Sequence, residues 1–429
     1  MYLLEMDLRA VERGTLEATW MVVNLYLGRD SASYHRRRTM GRMACRTTGI
    51  VTALSLALAV SARGGLTERV VCKAAADQSY ALFVPSSYDA AKRWPIVYLL
   101  DARGQAMVPM SKFREAAEEL GFILASSYTS ASDEAVDPNV KAMSAMWSDT
   151  HDRLSIDDRR VYAAGFSGTV RAACYLALGA PGSLRAIIGA GAGFPFDRPP
   201  VPGTPFAFFG TVGRHDFNFG EMWELEKQLT AAKVPHRILT FDGTHEWMPP
   251  SLAREALEWL VTRSGDPRFW DADLQRAESA PDVIERERRY VAMAVDYAGL
   301  HDTSAVTARA KLIAESKEYR QAFAETERTL REESKYLTDA RKTLAEAAPP
   351  YDAQRAIRDL RIKELLARRD DSAKRILNTL GGQTGFYMPR EMINRKDYAR
   401  AIFLLTIAKA IAPDSKYLDD EIAKLRRKP

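Results

Sequence analysis

At 429 residues the chain exceeds the usual size of one domain, and its 46% hydrophobic share is ordinary for a globular protein, which excludes a disordered or fibrous chain. The 61 basic and 56 acidic residues leave a net charge of +5 with no polybasic tract of the length a nucleic-acid footprint needs, so no nucleic-acid partner is expected. Three cysteines, Cys45, Cys72 and Cys174, form no Cys-x-x-Cys pair and have no zinc spacing.

Residues 1–39 have no clean period and end in the basic cluster Arg36-Arg37-Arg38. From Met40 the character changes. Arg42 and Arg46 precede an apolar stretch at 50–59, and Val60-Ser61-Ala62 offers small residues where a signal peptidase would cut. The stretch is too short to span a bilayer as a helix, which needs about 20 residues. Residues 1–62 are therefore expected to be a leader and signal peptide, with translation starting at Met40 or Met43 and the mature protein periplasmic or secreted. The competing reading is a buried core helix. Cleavage after Ala62 removes Cys45 and leaves Cys72 and Cys174, whose pairing the sequence does not decide.

Between residues 79 and 265 short apolar strands alternate with amphipathic helical stretches, the pattern of a mostly parallel sheet covered on both faces. The strands are expected at 80–84, 95–100, 121–126, 161–164, 186–189, 205–210 and 237–241, and helices at 112–120, 170–178, 221–232 and 252–261. After the second strand, Asp101-Ala102-Arg103-Gly104-Gln105 forms a loop that Gly104 lets approach a ligand closely.

The fourth strand breaks at Gly165-Phe166-Ser167-Gly168-Thr169 into an Ala-rich helix, and strand, turn and helix together are the context of a nucleophile elbow. A serine hydroxyl is a poor nucleophile at its own pKa, so the turn must present Ser167 to a base. Gly165 and Gly168 let strand and helix close, whereas Thr169 crowds a position usually held by a smaller residue. The plain alternative is an ordinary glycine-flanked turn. Asp216 follows the sixth strand and His245 the seventh, which gives the chain order Ser, Asp, His at the carboxyl edge of the sheet, where open parallel sheets bind ligands. His215 competes as base, and Asp242 and Glu246 compete as acid. The run His245-Glu246-Trp247-Met248-Pro249 is no zinc motif, because Pro249 stands where the second histidine would be. Oxyanion donors are expected from the backbone N–H of Gly168 and from that of Ala102 or Arg103.

Four blocks, Tyr98 to Gly104, Val161 to Gly168, Gly210 to Asn218 and Phe241 to Trp247, together resemble the α/β-hydrolase superfamily. They are most similar to its polyhydroxybutyrate-depolymerase-like and feruloyl-esterase-like secreted esterases. The resemblance implies an α/β-hydrolase fold with Ser167 as nucleophile, Asp216 as acid and His245 as base. Two departures stand out: Asp101-Ala102-Arg103-Gly104 lies where many relatives have His-Gly, and Thr169 replaces the usual small residue.

After Arg268 the strand pattern stops, and residues 270–429 are rich in Ala, Glu, Arg and Lys with apolar residues at helical spacing, so 266–429 is expected to be an α-helical, tetratricopeptide-like domain. Ala401, Leu405, Ala408 and Pro413 match the second helix of a tetratricopeptide unit, with a weaker echo at Ala373, Leu377 and Leu380, and Gly381 to Gly385 is expected to be the loop between them. A plain helical bundle is the alternative. The turn-rich Ser264-Gly265-Asp266-Pro267 marks the boundary, so residues 63–265 are expected to fold alone as the hydrolase domain. The function expected is a serine esterase that acts on a small-molecule or polymeric ester through an acyl-enzyme on Ser167, with no metal or organic cofactor and a possible protein partner on the helical region. Two other readings stay open. One is a binding protein that has lost turnover, favoured by Thr169 and the altered oxyanion loop; the other is a peptidase of the same fold.

Overall fold

The computed structural model describes residues 64–132 and 137–428, so the leader and signal-peptide expectation lies outside the described residues. Eight strands form one sheet in the order β1-β2-β4-β3-β5-β6-β7-β8. They are β1 (Gly65–Cys72), β2 (Ala75–Val84), β3 (Trp94–Leu100), β4 (Ile123–Ser127), β5 (Ile156–Phe166), β6 (Ala186–Ala190), β7 (Ala207–Gly213) and β8 (His236–Phe241). From β4 to β8 all neighbours in the sheet are parallel, whereas β2 runs antiparallel to both β1 and β4. This is the α/β-hydrolase sheet.

The parallel strands read as near-continuous apolar runs because both faces are covered. One face is packed by α1 (Met107–Leu120) through Met110, Phe113 and Ala117 and by α5 (Pro250–Arg263) through Ala253, Leu257 and Leu260. The other carries α2 (Asp137–Arg153), α3 (Gly168–Gly179) and α4 (Phe219–Ala231). Helix α2 and strand β1 have no counterpart in the expected elements. Strand β1 lacks a strong apolar pattern because it is an edge: Glu68 and Arg69 face solvent, and a register shift between Thr67 and Val70 interrupts its pairing with β2. The expected strand at 121–126 starts later, because Gly121 ends α1 in the left-handed conformation at φ 75°.

Past α5 the described residues are helical, apart from an isolated bridge between Ala298 and His301. The helices used below are α6 (Trp270–Ser279), α7 (Val283–Asp296), α8 (Ser304–Ala314), α9 (Lys317–Glu346), α10 (Ala353–Asp359), α11 (Ile362–Arg368), α12 (Asp371–Gly382), α13 (Met388–Asn394), α14 (Tyr398–Ile411) and α15 (Lys416–Leu425). The expected loop at 381–385 is corrected: α12 continues through a π-helical turn, Gln383–Tyr387, directly into α13. Three glycines suggest a turn by composition, but here Gln383, Thr384 and Gly385 are buried in the helical packing. Ala401, Leu405 and Ala408 face the core of this region, as do Ala373, Leu377 and Leu380.

Contacts cross the expected boundary at residue 265. Arg237 of β8 is buried between Asp273 of α6 (2.7 Å) and Asp296 of α7 (2.9 Å), with Glu255 of α5 at 3.7 Å. Trp223 of α4 packs with Val283 and Ile284 of α7 and Phe323 of α9. Burial opposes the Arg237 charge, but Asp296 and Asp273 outweigh it and push its pKa up.

Candidate active site

Ser167 sits between β5 and α3 with φ 57° and ψ −131°, a strained conformation for a residue other than glycine, which lifts its side chain out of the turn. Its N–H donates to Ala190 O of β6 at 2.9 Å, and this fixes the turn to the neighbouring strand. At Gly165 a Cβ would lie 2.7 Å from Val170 N, so only glycine lets the helix start so close to the strand. Thr169 does not crowd the elbow as expected. It is fully buried, and its hydroxyl lies 2.6 Å from Leu100 O and 2.8 Å from Phe166 O while accepting from Phe166 N–H at 2.9 Å. The extra polar atom ties the turn to the end of β3.

His245 stands on the loop after β8, with its Nε2 2.9 Å from Ser167 Oγ. Its Nδ1 is 3.0 Å from both carboxylate oxygens of Asp216, on the loop after β7. Asp216 is completely buried and also accepts from Asn218 N–H at 2.8 Å. A carboxylate at Nδ1 fixes the tautomer that carries its proton there, so Nε2 is left to accept from the serine hydroxyl. Phe166 and Phe217 border the imidazole, with ring centroids at 4.7 and 4.1 Å. Gly191, at φ 65°, passes so close that a Cβ there would be 2.9 Å from Asp216 Oδ2 and 3.0 Å from His245 Nδ1.

The rival residues are placed elsewhere. His215 Nε2 lies 2.9 Å from Asp371 Oδ1 of α12 and 3.3 Å from Lys374 Nζ. Asp242 and Glu246 are exposed, and Glu246 accepts from Thr244 N–H at 3.1 Å. The Asp216 loop is also held from the helical region, since Arg375 donates to Arg214 O (3.0 Å) and Asn378 to His215 O (2.7 Å).

The oxyanion expectation needs correction at Arg103. Its N–H donates to Asp101 Oδ1 at 2.8 Å, as does that of Gln105 at 3.0 Å, because an aspartate in this turn draws the following amides onto its own carboxylate. The other oxygen of Asp101 accepts from Trp247 Nε1 at 2.8 Å, which links this loop to the His245 loop. Ala102 accepts at its carbonyl from Ser132 N–H at 2.8 Å. Gly168 N–H donates to Ser132 Oγ at 3.1 Å.

The sequence reading did not single out Ser132, nor Arg171 and Glu221. Arg171 lies one turn of α3 past Ser167 and is paired at 2.6 Å with Glu221 of α4 under the exposed ring of Phe196. Burial raises the Glu221 pKa, against the opposing pull of Arg171. The serine-rich run 126–132 was the available signal for Ser132, but it lacks the spacing of any motif. Cys72 and Cys174 are buried free thiols, and burial pushes both pKa values up, that of Cys72 to about 11, so neither is a thiolate nucleophile. Among the described residues no group of three or more His, Cys, Asp or Glu is arranged to hold a metal ion, and no helix is long and apolar enough to cross a membrane.

No protein-family profile matches the chain, and neither does any curated protein sequence. Among solved structures it is similar to an S-formylglutathione hydrolase from Staphylococcus aureus, at 12% identity over 43% of this chain and 90% of that one with a TM-score of 0.35. It is similar also to a feruloyl esterase module from Clostridium thermocellum with sinapinate bound, at 12% identity over 46% of this chain and 87% of that one with a TM-score of 0.36. A ferulic acid esterase from Anaeromyces mucronatus matches at 16% identity over 42% of this chain and 82% of that one, with a TM-score of 0.33.

Proposed function

We propose that this protein is a serine hydrolase that cleaves a carboxylic ester through an acyl-enzyme on Ser167. The observation that carries the reading is the hydrogen-bonded row of Ser167 Oγ, His245 and Asp216, with contacts of 2.9 and 3.0 Å, set on a strained turn at the carboxyl edge of the sheet. His245 Nε2 takes the proton of Ser167 as its oxygen attacks the carbonyl, and the pair from the carbonyl double bond moves onto oxygen. Asp216 holds the imidazole in the required tautomer and stabilises its cation. Gly168 N–H supports the developing oxyanion, His245 returns the proton to the departing alcohol, and water activated by the same histidine releases the acid.

The reading that turnover has been lost is weakened at Thr169, since that side chain braces the elbow. The ester is taken to be a small molecule or a polymer met outside the cytoplasm, consistent with the signal-like segment at 40–62. A fluorophosphonate probe tests the assignment. Stoichiometric labelling that maps to Ser167 by peptide mass spectrometry is expected, together with turnover of short-chain p-nitrophenyl esters above that of aminoacyl p-nitroanilides. Labelling absent or mapped to another serine removes the assignment, and faster amide turnover transfers it to a peptidase.

A further inference from the structure

An acyl-transfer site stabilises its tetrahedral oxygen best when two donors converge on it. Gly168 N–H is one. Of the two amides expected to supply the second, Ala102 and Arg103 on the loop after β3, that of Arg103 turns back onto Asp101 Oδ1, as does that of Gln105. Ser132 bridges the two segments instead. Its N–H donates to Ala102 O at 2.8 Å, and its Oγ accepts from Gly168 N–H at 3.1 Å. The serine oxygen therefore stands on the same N–H that the substrate oxygen needs.

We propose that Ser132 is a catalytic residue, its hydroxyl the second donor to the oxyanion. This rests on the reading of Ser167 as nucleophile. A hydroxyl is both acceptor and donor. In the free protein it accepts from Gly168 N–H. When the carbonyl oxygen of an ester takes that N–H, the Ser132 hydroxyl rotates and donates its own hydrogen to the same oxygen. Its proton stays in place throughout: the Ser167 Oγ–C bond forms, the Ser167 proton passes to His245, and Ser132 only hydrogen-bonds the negative oxygen.

The backbone approaching Ser132 is held for such a task. Buried Asn139 clamps the neighbouring residue by accepting from Ala131 N–H (3.1 Å) and donating to Ala131 O (2.8 Å). Ser130 Oγ donates to Asp101 O at 2.8 Å, and Ser130 N–H donates to Ser127 Oγ at 2.9 Å. The loop after β4 is thereby fastened to its own strand end and to the end of β3, so only the χ1 rotation of Ser132 has to change during reaction.

The test is steady-state kinetics of the full chain on a p-nitrophenyl ester, beside the rate of fluorophosphonate labelling, for wild type, Ser132→Ala and Ser132→Thr. Removing one oxyanion donor costs about 10²–10³ in kcat. Ser132→Ala is expected to show a loss of that order with KM changed less than about threefold, slower labelling and an unaltered melting temperature, while Ser132→Thr recovers most of kcat. A merely structural role would move the melting temperature or KM and would not follow the hydroxyl. Unchanged kcat in Ser132→Ala overturns the proposal, and so does increased kcat, which would make the hydroxyl an obstacle at the site. A wild-type chain that neither labels nor turns over removes the hydrolase reading itself, whereas an active wild type with an equally active Ser132→Ala removes only the role of Ser132.

Discussion

Two regions of the molecule bury polar groups by different means. At the carboxyl edge of the sheet the buried and half-buried groups are fixed by turns and backbone amides: Ser167 by its strained φ and its bond to Ala190, Thr169 by Leu100 O, Asp216 by Asn218 N–H. At the outer edge, beside β8, they are fixed by ions brought from different helices. There Arg237 meets Asp273 and Asp296, Trp259 Nε1 and Tyr297 OH add bonds to the same two carboxylates, and Arg289 holds Glu255 at 2.7 Å. In the proposed reaction the first region moves a proton, so its groups must be held in place yet remain free to change partner. The second joins helices to a sheet, and a buried ion pair there is costly to break.

The largest effect expected from this contrast follows removal of the ionic region. A truncated chain of residues 63–265 keeps Arg237 but loses Asp273 and Asp296, and it exposes the face of Trp223 that α7 and α9 cover. It is expected to be insoluble or molten by near-ultraviolet circular dichroism, contrary to the independent folding that the turn at 264–267 suggests. In the full chain Arg237→Met leaves two buried carboxylates short of their partner and should cost about 3–5 kcal/mol in urea unfolding. A soluble, cooperatively melting 63–265 fragment would make the outer edge dispensable.

Next in size comes the acid. Asp216→Asn should lower turnover at least about a hundredfold with little change in melting temperature, because the amide supports the wrong tautomer. Asp242→Asn, exposed and apart from the row, should lose less than about tenfold. The larger loss at Asp242 would move the acid there.

Helix α12 also reaches the first region, at the Asp216 loop, where Asn378 holds His215 O. Asn378→Ala should cost about 1 kcal/mol of stability and a few-fold in kcat, since one loop bond is lost and Asn218 still holds the aspartate. His215→Ala should keep most activity, its ring being committed to Asp371. Losses equal to those of Asp216→Asn in either variant would place the control of the acid in the helical region.

The smallest effect concerns Glu226 of α4, paired with Arg288 of α7. Burial pushes its pKa up to about 7, with Arg288 opposing. A carboxyl raised on folding stabilises the fold fully below its unfolded value of about 4.5 and loses that contribution as pH rises through about 7. The melting temperature of Glu226→Gln relative to wild type should therefore rise between about pH 5 and pH 8, and a constant difference would mean that the carboxylate is ionised throughout.

The same contrast explains what was legible in the sequence. Ser167, Asp216 and His245 each follow an apolar strand on a loop, and parallel strands deliver such loops to one edge, so their meeting followed from local patterns and topology. Strands β2 to β8 were legible for the same reason, being apolar runs bounded by turn residues. Edge strand β1 was not, because its outward face is polar and only pairing with β2 makes it a strand. Arg237 looked like one charge in a strand end, and its partners lie 36 and 59 residues away with no period to connect them. Thr169 was misjudged because side-chain volume was weighed without the acceptor at Leu100, and Ser132 was missed because its partner Gly168 is 36 residues distant.

The central claim is that Ser167 and His245 act as one unit, and the most direct measurement is the turnover of a p-nitrophenyl ester by Ser167→Ala, His245→Ala and the double variant. Each single change should cost at least about 10⁴ in kcat, and the double variant should be no slower than the worse single one, because either loss already removes the activated nucleophile. Losses that multiply in the double variant, or a single variant with wild-type turnover, would contradict the account.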